Sequence, residues 1–399
     1  MIPMIEIKNK QDCCGCSACE QVCPVKAIEM KMDEEGFYYP QVNKSLCVNC
    51  DKCKRVCPVR QGGSEGKVEP KVYVCQNKSL HTRLDSTSGG VFSALAQFVL
   101  EKDGVVFGAV FDDHFVVQHK SVTSEEGLHR IRGSKYVQSK INDSYKLVKE
   151  YLNGNRYVLF TGTPCQIAAL CSYLGKEYEN LLLMDIVCYS ISSPGVWKQY
   201  LQHLQKIGKI NINQVSDIRF RDKSKYGYEY TLMTFYDDRK KVLYASGPES
   251  DQMLRSFVSN TSTRPSCYEC KFKGTNRLSD FTAWDCYNIF KYDKTLDDNK
   301  GSSHIMVNSE KGLKLLDELS EYLYFFEVDR QKAISSEPAM TECAIPSDMR
   351  KAFFDAYGKN TDIFDEFFKD TFRVKSERIL RHGLSKIGLY RVLKRLMKG

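Results

Sequence analysis

Cysteines at the start of the chain set the first chemical question. Seventeen occur in 399 residues, and five fall between positions 13 and 23. CCGCSACEQVCP places Cys13, Cys16, Cys19 and Cys23 at x2, x2 and x3 spacings before Pro24. CVNCDKCKRVCP repeats the pattern with Cys47, Cys50, Cys53 and Cys57 before Pro58. Three closely spaced thiolates can hold three corners of an iron–sulfur cubane, and the fourth cysteine reaches the neighbouring cluster. The spacing therefore predicts one [4Fe-4S] cluster on Cys13, Cys16, Cys19 and Cys57, and a second on Cys47, Cys50, Cys53 and Cys23. Zinc also takes four thiolates, but its ligands usually come as CxxC pairs separated by a longer spacer. Cys14 is the spare thiol of the first run and is read as a bystander.

Wrapping a cubane needs a turning backbone of small residues, which Gly15, Ser17 and Ala18 supply. Between the runs, AIEMKMDEEGFYYPQVN alternates and turns at Gly36, as a hairpin does. Residues 1–60 resemble a two-[4Fe-4S] ferredoxin domain, an α+β ferredoxin-like unit that relays electrons. QGGSEGKVEP, residues 61–70, reads as a linker.

The rest of the chain must receive or supply those electrons. VYVCQN, VVFGAVF, the strand ending in TGTP and LLLMDIVCYS read as buried strands of an α/β core with a mixed sheet. STSGG precedes a helix with Val91, Leu95, Phe98 and Val99 on one face. A small-residue turn entering a helix can cradle phosphate, although capping accounts for it equally well. Cys165 and Cys188 lie at or just beyond strand ends, and RPSCYECKFKG adds Cys267 and Cys270. Four such thiols could hold a third cluster, while scattered cysteines also serve as small core residues.

SGGVFSALA, RGSKYVQS, VLFTGTPCQIAAL, FRDKSKYGY, RPSCYECKFK and KGSSHIMVNSEKG occur in that order. Together they resemble the beta-subunit family of coenzyme F420 hydrogenases and dehydrogenases, over roughly residues 70–355. The resemblance implies an iron–sulfur flavoprotein oxidoreductase with an α/β flavin-binding core over residues 71–371. It assigns a third [4Fe-4S] cluster to Cys165, Cys188, Cys267 and Cys270, and FAD contacts to Ser88, Gly89, Gly90, Lys135, Thr161 and Thr163. Coenzyme F420 is the implied substrate. The alternatives are reduction of an intermediate in cell-surface polysaccharide synthesis, or a non-catalytic electron-transfer adaptor. A redox partner protein or a small-molecule acceptor is expected, and no catalytic side chain is assigned. The role of Arg221, Asp222 and Lys223 in the FRDK motif stays open between a salt-bridge turn and a ligand contact. Cys75, Cys171, Cys286 and Cys343 are read as packing. The chain departs from the family after Cys188, with Tyr189 and Ser190, and at Trp284-Asp285-Cys286-Tyr287-Asn288. There a bulky Trp284 would reshape the pocket, and Cys286 becomes a rival ligand.

No leader-like segment is seen, nor an apolar run near the ~18 residues of a membrane span, so a cytoplasmic protein is expected, with clustered thiols kept reduced. Residues 372–399 hold nine Lys/Arg and one acid, which accounts for the whole net charge of +8. The body is therefore close to neutral, and nucleic acid is not an expected partner. In the tail Leu380, Leu384, Ile387, Tyr390, Leu393 and Met397 recur at helical steps. An amphipathic helix on the inner face of an anionic membrane is one reading; docking on the protein's own body is the other.

Overall fold

A computed structural model describes residues 4–61, 68–359 and 361–398. Residues 62–67 of the expected linker lie outside this range, as does the side chain of Met397. Both cysteine runs fold the same way. Gly15 and Ser17 in the first, and Asn49 and Asp51 in the second, take positive φ. A four-residue helix follows each, Ala18–Gln21 and Lys52–Arg55. These left-handed steps curl each run around its thiols. Strands β1 (Ile28–Met32) and β2 (Tyr38–Val42) form the expected hairpin, with Gly36 at φ +76° in the turn.

The larger body follows with β3 (Lys71–Asn77), β4 (Val105–Phe111), β5 (Val117–Val122), β6 (Val158–Gly162) and β7 (Leu181–Ile186). Strands β8 (Asp217–Asp222), β9 (Leu232–Tyr236) and β10 (Val242–Ser246) make a separate antiparallel sheet. β11 (Phe281–Asp285), β12 (Ser303–Val307) and β13 (Leu323–Val328) return to the main sheet. Its order is β13-β3-β12-β11-β7-β6-β4-β5. β4, β6, β7 and β11 run parallel at its centre, flanked by antiparallel strands, so the sheet is mixed.

Both faces of the central strands are covered, which explains their near-continuous apolar sequence. Val105, Phe107, Val158, Phe160, Leu181 and Leu183 face one core. Their neighbours Val106, Leu159 and Leu182 face the other, with Leu95, Phe98 and Val99 of the helix Val91–Glu101. The first core also takes in Ala18, Cys19, Cys53 and Val56, so the cysteine lobe packs directly onto one sheet face. The helix Pro164–Leu174 starts sharply because Thr163 and Gln166 form a capping box and Pro164 suits the first helical position. That start holds Cys165 at the C-terminal edge of the sheet.

The tail is two helices, Phe372–Lys386 and Leu389–Lys398, broken at Gly388 with φ +74°. No helix among the described residues is long and apolar enough to cross a membrane.

Candidate iron–sulfur and cofactor site

Cys23, Cys47, Cys50 and Cys53 line one small cavity in the N-terminal lobe. Cys19 lies among Cys13, Cys57 and Cys53, and its thiol pKa is pushed well up by burial and then by those neighbours. Cys16 faces Cys14, Cys19 and Cys13. Cys23 thus sits with the first three thiols of the second run, and Cys57 lies near Cys13 and Cys19 of the first.

The four core cysteines also meet. Burial, followed by Cys188, Cys165 and Cys270, raises the Cys267 thiol pKa. Burial and Cys165 raise that of Cys188 to about 12. A set of crowded, half-buried thiols is costly to ionise without a cation and suits a metal cluster, whose binding releases their protons. Cys188 lies two residues beyond β7, at the same sheet edge as Cys165.

These four line a cavity of about 430 Å³. Ser88, Gly90, Lys135, Thr161 and Thr163 line it too, as do Cys14 and Gly15 from the N-terminal lobe. Gly89 stands behind the wall. Its N–H donates to Ser303 Oγ at 2.9 Å, and an added Cβ would lie 2.7 Å from the Cys75 carbonyl oxygen. Close packing against β3 and β12 therefore requires that glycine. Ser88 Oγ donates to the Ser302 carbonyl at 2.6 Å, and Thr161 Oγ1 to that of Phe107 at 2.9 Å. Lys135 is held by the carbonyls of Ile131, Arg132 and Gly133, and burial lowers its pKa to about 8.

The FRDK residues part company. Arg221 lines the cavity and pairs with Asp285 at 2.6 Å, while its other nitrogen donates to Tyr287 Oη. Asp222 accepts from Ser224 N at 2.7 Å and from Tyr236 Oη. Lys223 donates to the carbonyls of Arg83, Ser88 and Lys300, tying the STSGG loop to the 298–302 loop. Burial, then the Arg221 charge, pulls its pKa to about 7. Three carbonyl acceptors nevertheless require all three ammonium protons, so we assign the charged form.

Cys14 is half-buried between Cys16 and Cys165, at the seam of lobe and core. Cys343 Sγ lies 3.7 Å from the Cys270 carbonyl oxygen. Cys75 is buried in the sheet core, and Cys171, within the helix Pro164–Leu174, is half-buried against the core on the other sheet face. Cys286 is fully buried and packs with Val74 and Ile289, not among the cavity thiols. Trp284 lines the cavity, its ring stacked 4.9 Å from His304.

Arg264 was not singled out by sequence. It is fully buried and donates to the carbonyl of Cys13 at 2.9 Å, to Gln138 Oε1 at 2.9 Å and to the carbonyl of Tyr38 at 3.0 Å. Its guanidinium faces Cys13, Tyr39, Cys14 and Cys267. It has no carboxylate partner among the described residues. The only signal was its place in the RPSC motif.

Residues 12–60 match a 4Fe-4S dicluster domain. Residues 155–331 match the family described as the C terminus of the coenzyme F420 hydrogenase/dehydrogenase beta subunit. An N-terminal stretch matching an iron–sulfur dicluster domain is thus joined to a stretch matching that beta-subunit family, a pairing that points to electron-transfer oxidoreductase chemistry. Among solved structures it is similar to a chain of the F420-reducing [NiFe] hydrogenase complex from Methanosarcina barkeri. The identity is 14%, the match covers 76% of this chain and 91% of that one, and the TM-score is 0.45. No curated protein is matched.

Proposed function

We propose that this protein passes electrons between its two N-terminal [4Fe-4S] clusters, a third cluster on Cys165, Cys188, Cys267 and Cys270, and FAD. The final donor or acceptor would be coenzyme F420 or another small molecule, with a redox partner protein at the N-terminal lobe. One observation carries this reading: a single cavity is walled by the four core thiols, by five of the six expected flavin contacts and by Cys14 and Gly15 of the dicluster lobe.

The residues fit a bound anionic cofactor. The helix Val91–Glu101 begins at Gly90 without a side-chain cap, and Gly90, Val91 and Phe92 line the cavity. Free N–H groups and the helix dipole favour a phosphate there. Lys135 adds a cation. Arg277 Nε and Trp284 Nε1 are buried donors without a partner, on residues that line the same cavity. FAD, when bound, supplies the exchange between one-electron and two-electron chemistry. The chain's own residues bind, orient and exclude water. Arg221, fixed by Asp285, presents a positive charge to the cavity, and Lys223 holds the STSGG loop in place behind it.

Iron, acid-labile sulfide and flavin per chain, measured after anaerobic reconstitution, test the proposal. About twelve irons and one flavin are expected for three cubanes. About eight irons without flavin would refute it in favour of the adaptor reading, in which the dicluster domain alone is redox-active.

A further inference from the structure

We propose that the two tail helices are a foot that seats the protein on an anionic membrane surface through their apolar sides. This goes beyond the redox reading and does not depend on it.

The tail docks the opposite way round from an ordinary amphipathic helix. In Leu389–Lys398 the cationic side faces the body. Arg391 and Arg395 both pair with Asp297. Lys394 Nζ lies 3.2 Å from the Glu229 carboxylate and 4.6 Å above the Tyr287 ring. Tyr390 packs on Tyr230 at 5.0 Å. In Phe372–Lys386, Val374 is buried and His382 packs on Tyr226 and Tyr230. These basic residues are therefore engaged within the protein, as in docking on the protein's own body.

The outward side is apolar. Leu389, Val392, Leu393 and Leu396, at i, i+3, i+4 and i+7, are 44–75% exposed. Phe372, Ile379, Leu380 and Ile387 are 60–87% exposed. Burying charge while exposing aliphatics at a helical period leaves a contiguous face that marks an interaction site.

Charge selects the occupant. Arg373, Lys375 and Lys386 are exposed, with no ion pair drawn for them among the described residues. At 3.6 residues per turn, Arg373 falls on one flank of the apolar stripe and Lys375 and Lys386 on the other. A second copy meeting this face about a two-fold axis would set these cations against their own kind. An anionic bilayer accepts both the aliphatic stripe and its cationic rim. Because the polar side is already bound to the body, the helices can enter the headgroup layer without undocking.

The test is co-sedimentation of the full chain with phosphatidylglycerol/phosphatidylcholine vesicles, together with light scattering. Wild type should be monomeric and pellet with the vesicles. Leu393→Glu with Leu396→Glu should cut partitioning tenfold or more at unchanged iron content, which shows an intact fold. Lys375→Gln and Lys386→Gln should each cost about fivefold on anionic vesicles, as expected for one basic residue near the surface. Wild type remaining in the supernatant would overturn the proposal. So would a wild-type dimer that the double glutamate variant splits, because the face would then join two copies. Iron and flavin content tests the redox reading separately, so either can fail alone.

Discussion

Arg264→Met probes the electrostatics of the seam between lobe and core. A fully buried guanidinium without a carboxylate carries a desolvation penalty of several kcal/mol. Its neighbours are the thiols of Cys13, Cys14 and Cys267. Iron-bound thiolates at Cys13 and Cys267 would be its missing counter-charges. Methionine keeps much of the volume but removes the charge and leaves the acceptors at Cys13, Gln138 and Tyr38 without their donor. Each orphaned buried acceptor costs about 1–3 kcal/mol. At an effective dielectric of about 20, two unit charges about 8 Å apart interact by about 2 kcal/mol. For a one-electron couple that is about 90 mV. The assay is a redox titration followed by electron paramagnetic resonance, with unfolding by urea alongside. Arg264→Met should lower the potential of the cluster on Cys13 by tens of millivolts, up to about 90 mV, and lower the urea midpoint. Arg264→Lys, which keeps the charge and loses the fork, should recover most of the potential but not the stability. An unchanged potential in a folded, iron-replete Arg264→Met protein would refute the argument and leave Arg264 a purely structural residue.

Cys267→Ala should remove about four of about twelve irons, the content of one cubane, and Cys286→Ala none; loss of iron from the second variant would make Cys286 the rival ligand. His119 Nε2 donates to the Thr161 carbonyl at 3.0 Å, its Nδ1 accepts from Ser139 Oγ at 2.9 Å, and burial lowers its pKa to about 4. The unfolded imidazole takes up a proton near pH 6.5 and the folded one does not until about pH 4. Stability should therefore be full above that window and fall by up to about 3 kcal/mol as pH drops through it. His119→Gln should flatten this part of the urea-midpoint profile, and an unaltered profile would contradict the assignment.

The elements whose cause is local were legible. Cysteine spacing and the Gly36 hairpin depend on neighbours within a few residues, and the structure forms each turn where the residues ask for it. Sheet order was not legible, because β3 reaches its place between β12 and β13 by pairings more than 200 residues away. The STSGG turn shows the limit at the site. Its glycines fit a phosphate cradle, yet Gly89 is small because β3 and β12 press on it, and only Gly90 reaches the cavity wall. The tail shows another limit. Periodicity separates two helix faces but does not say which one docks, and here Asp297 and Glu229 draw in the cationic face. In sequence Cys14 reads as a bystander and Arg264 carries no signal beyond its motif, because their partners come from both lobes.

The seam itself bears on the choice between relay and adaptor. Tunnelling between clusters needs a fixed distance from the first cysteine run to the core thiols. Here the lobe is locked at several points. Gly195 N donates to Gly36 O at 3.2 Å, and an added Cβ on Gly36 would sit 2.7 Å from Gly195 Cα, so two backbones meet without side chains between them. Arg350 grips Glu35 with two bonds of 3.0 and 2.7 Å. Gln138 donates to Gly15 O at 3.2 Å while accepting from Arg264. Gly15 itself has φ +70°, and a side chain there would overlap Gln138 and lie 3.0 Å from the Arg264 guanidinium. A module that merely delivered electrons to an outside partner would need none of this. The same glycine that lets the first run curl around its thiols also lets Gln138 and Arg264 approach, so the fold that makes the N-terminal cluster site also sets its position against Cys165 and Cys267.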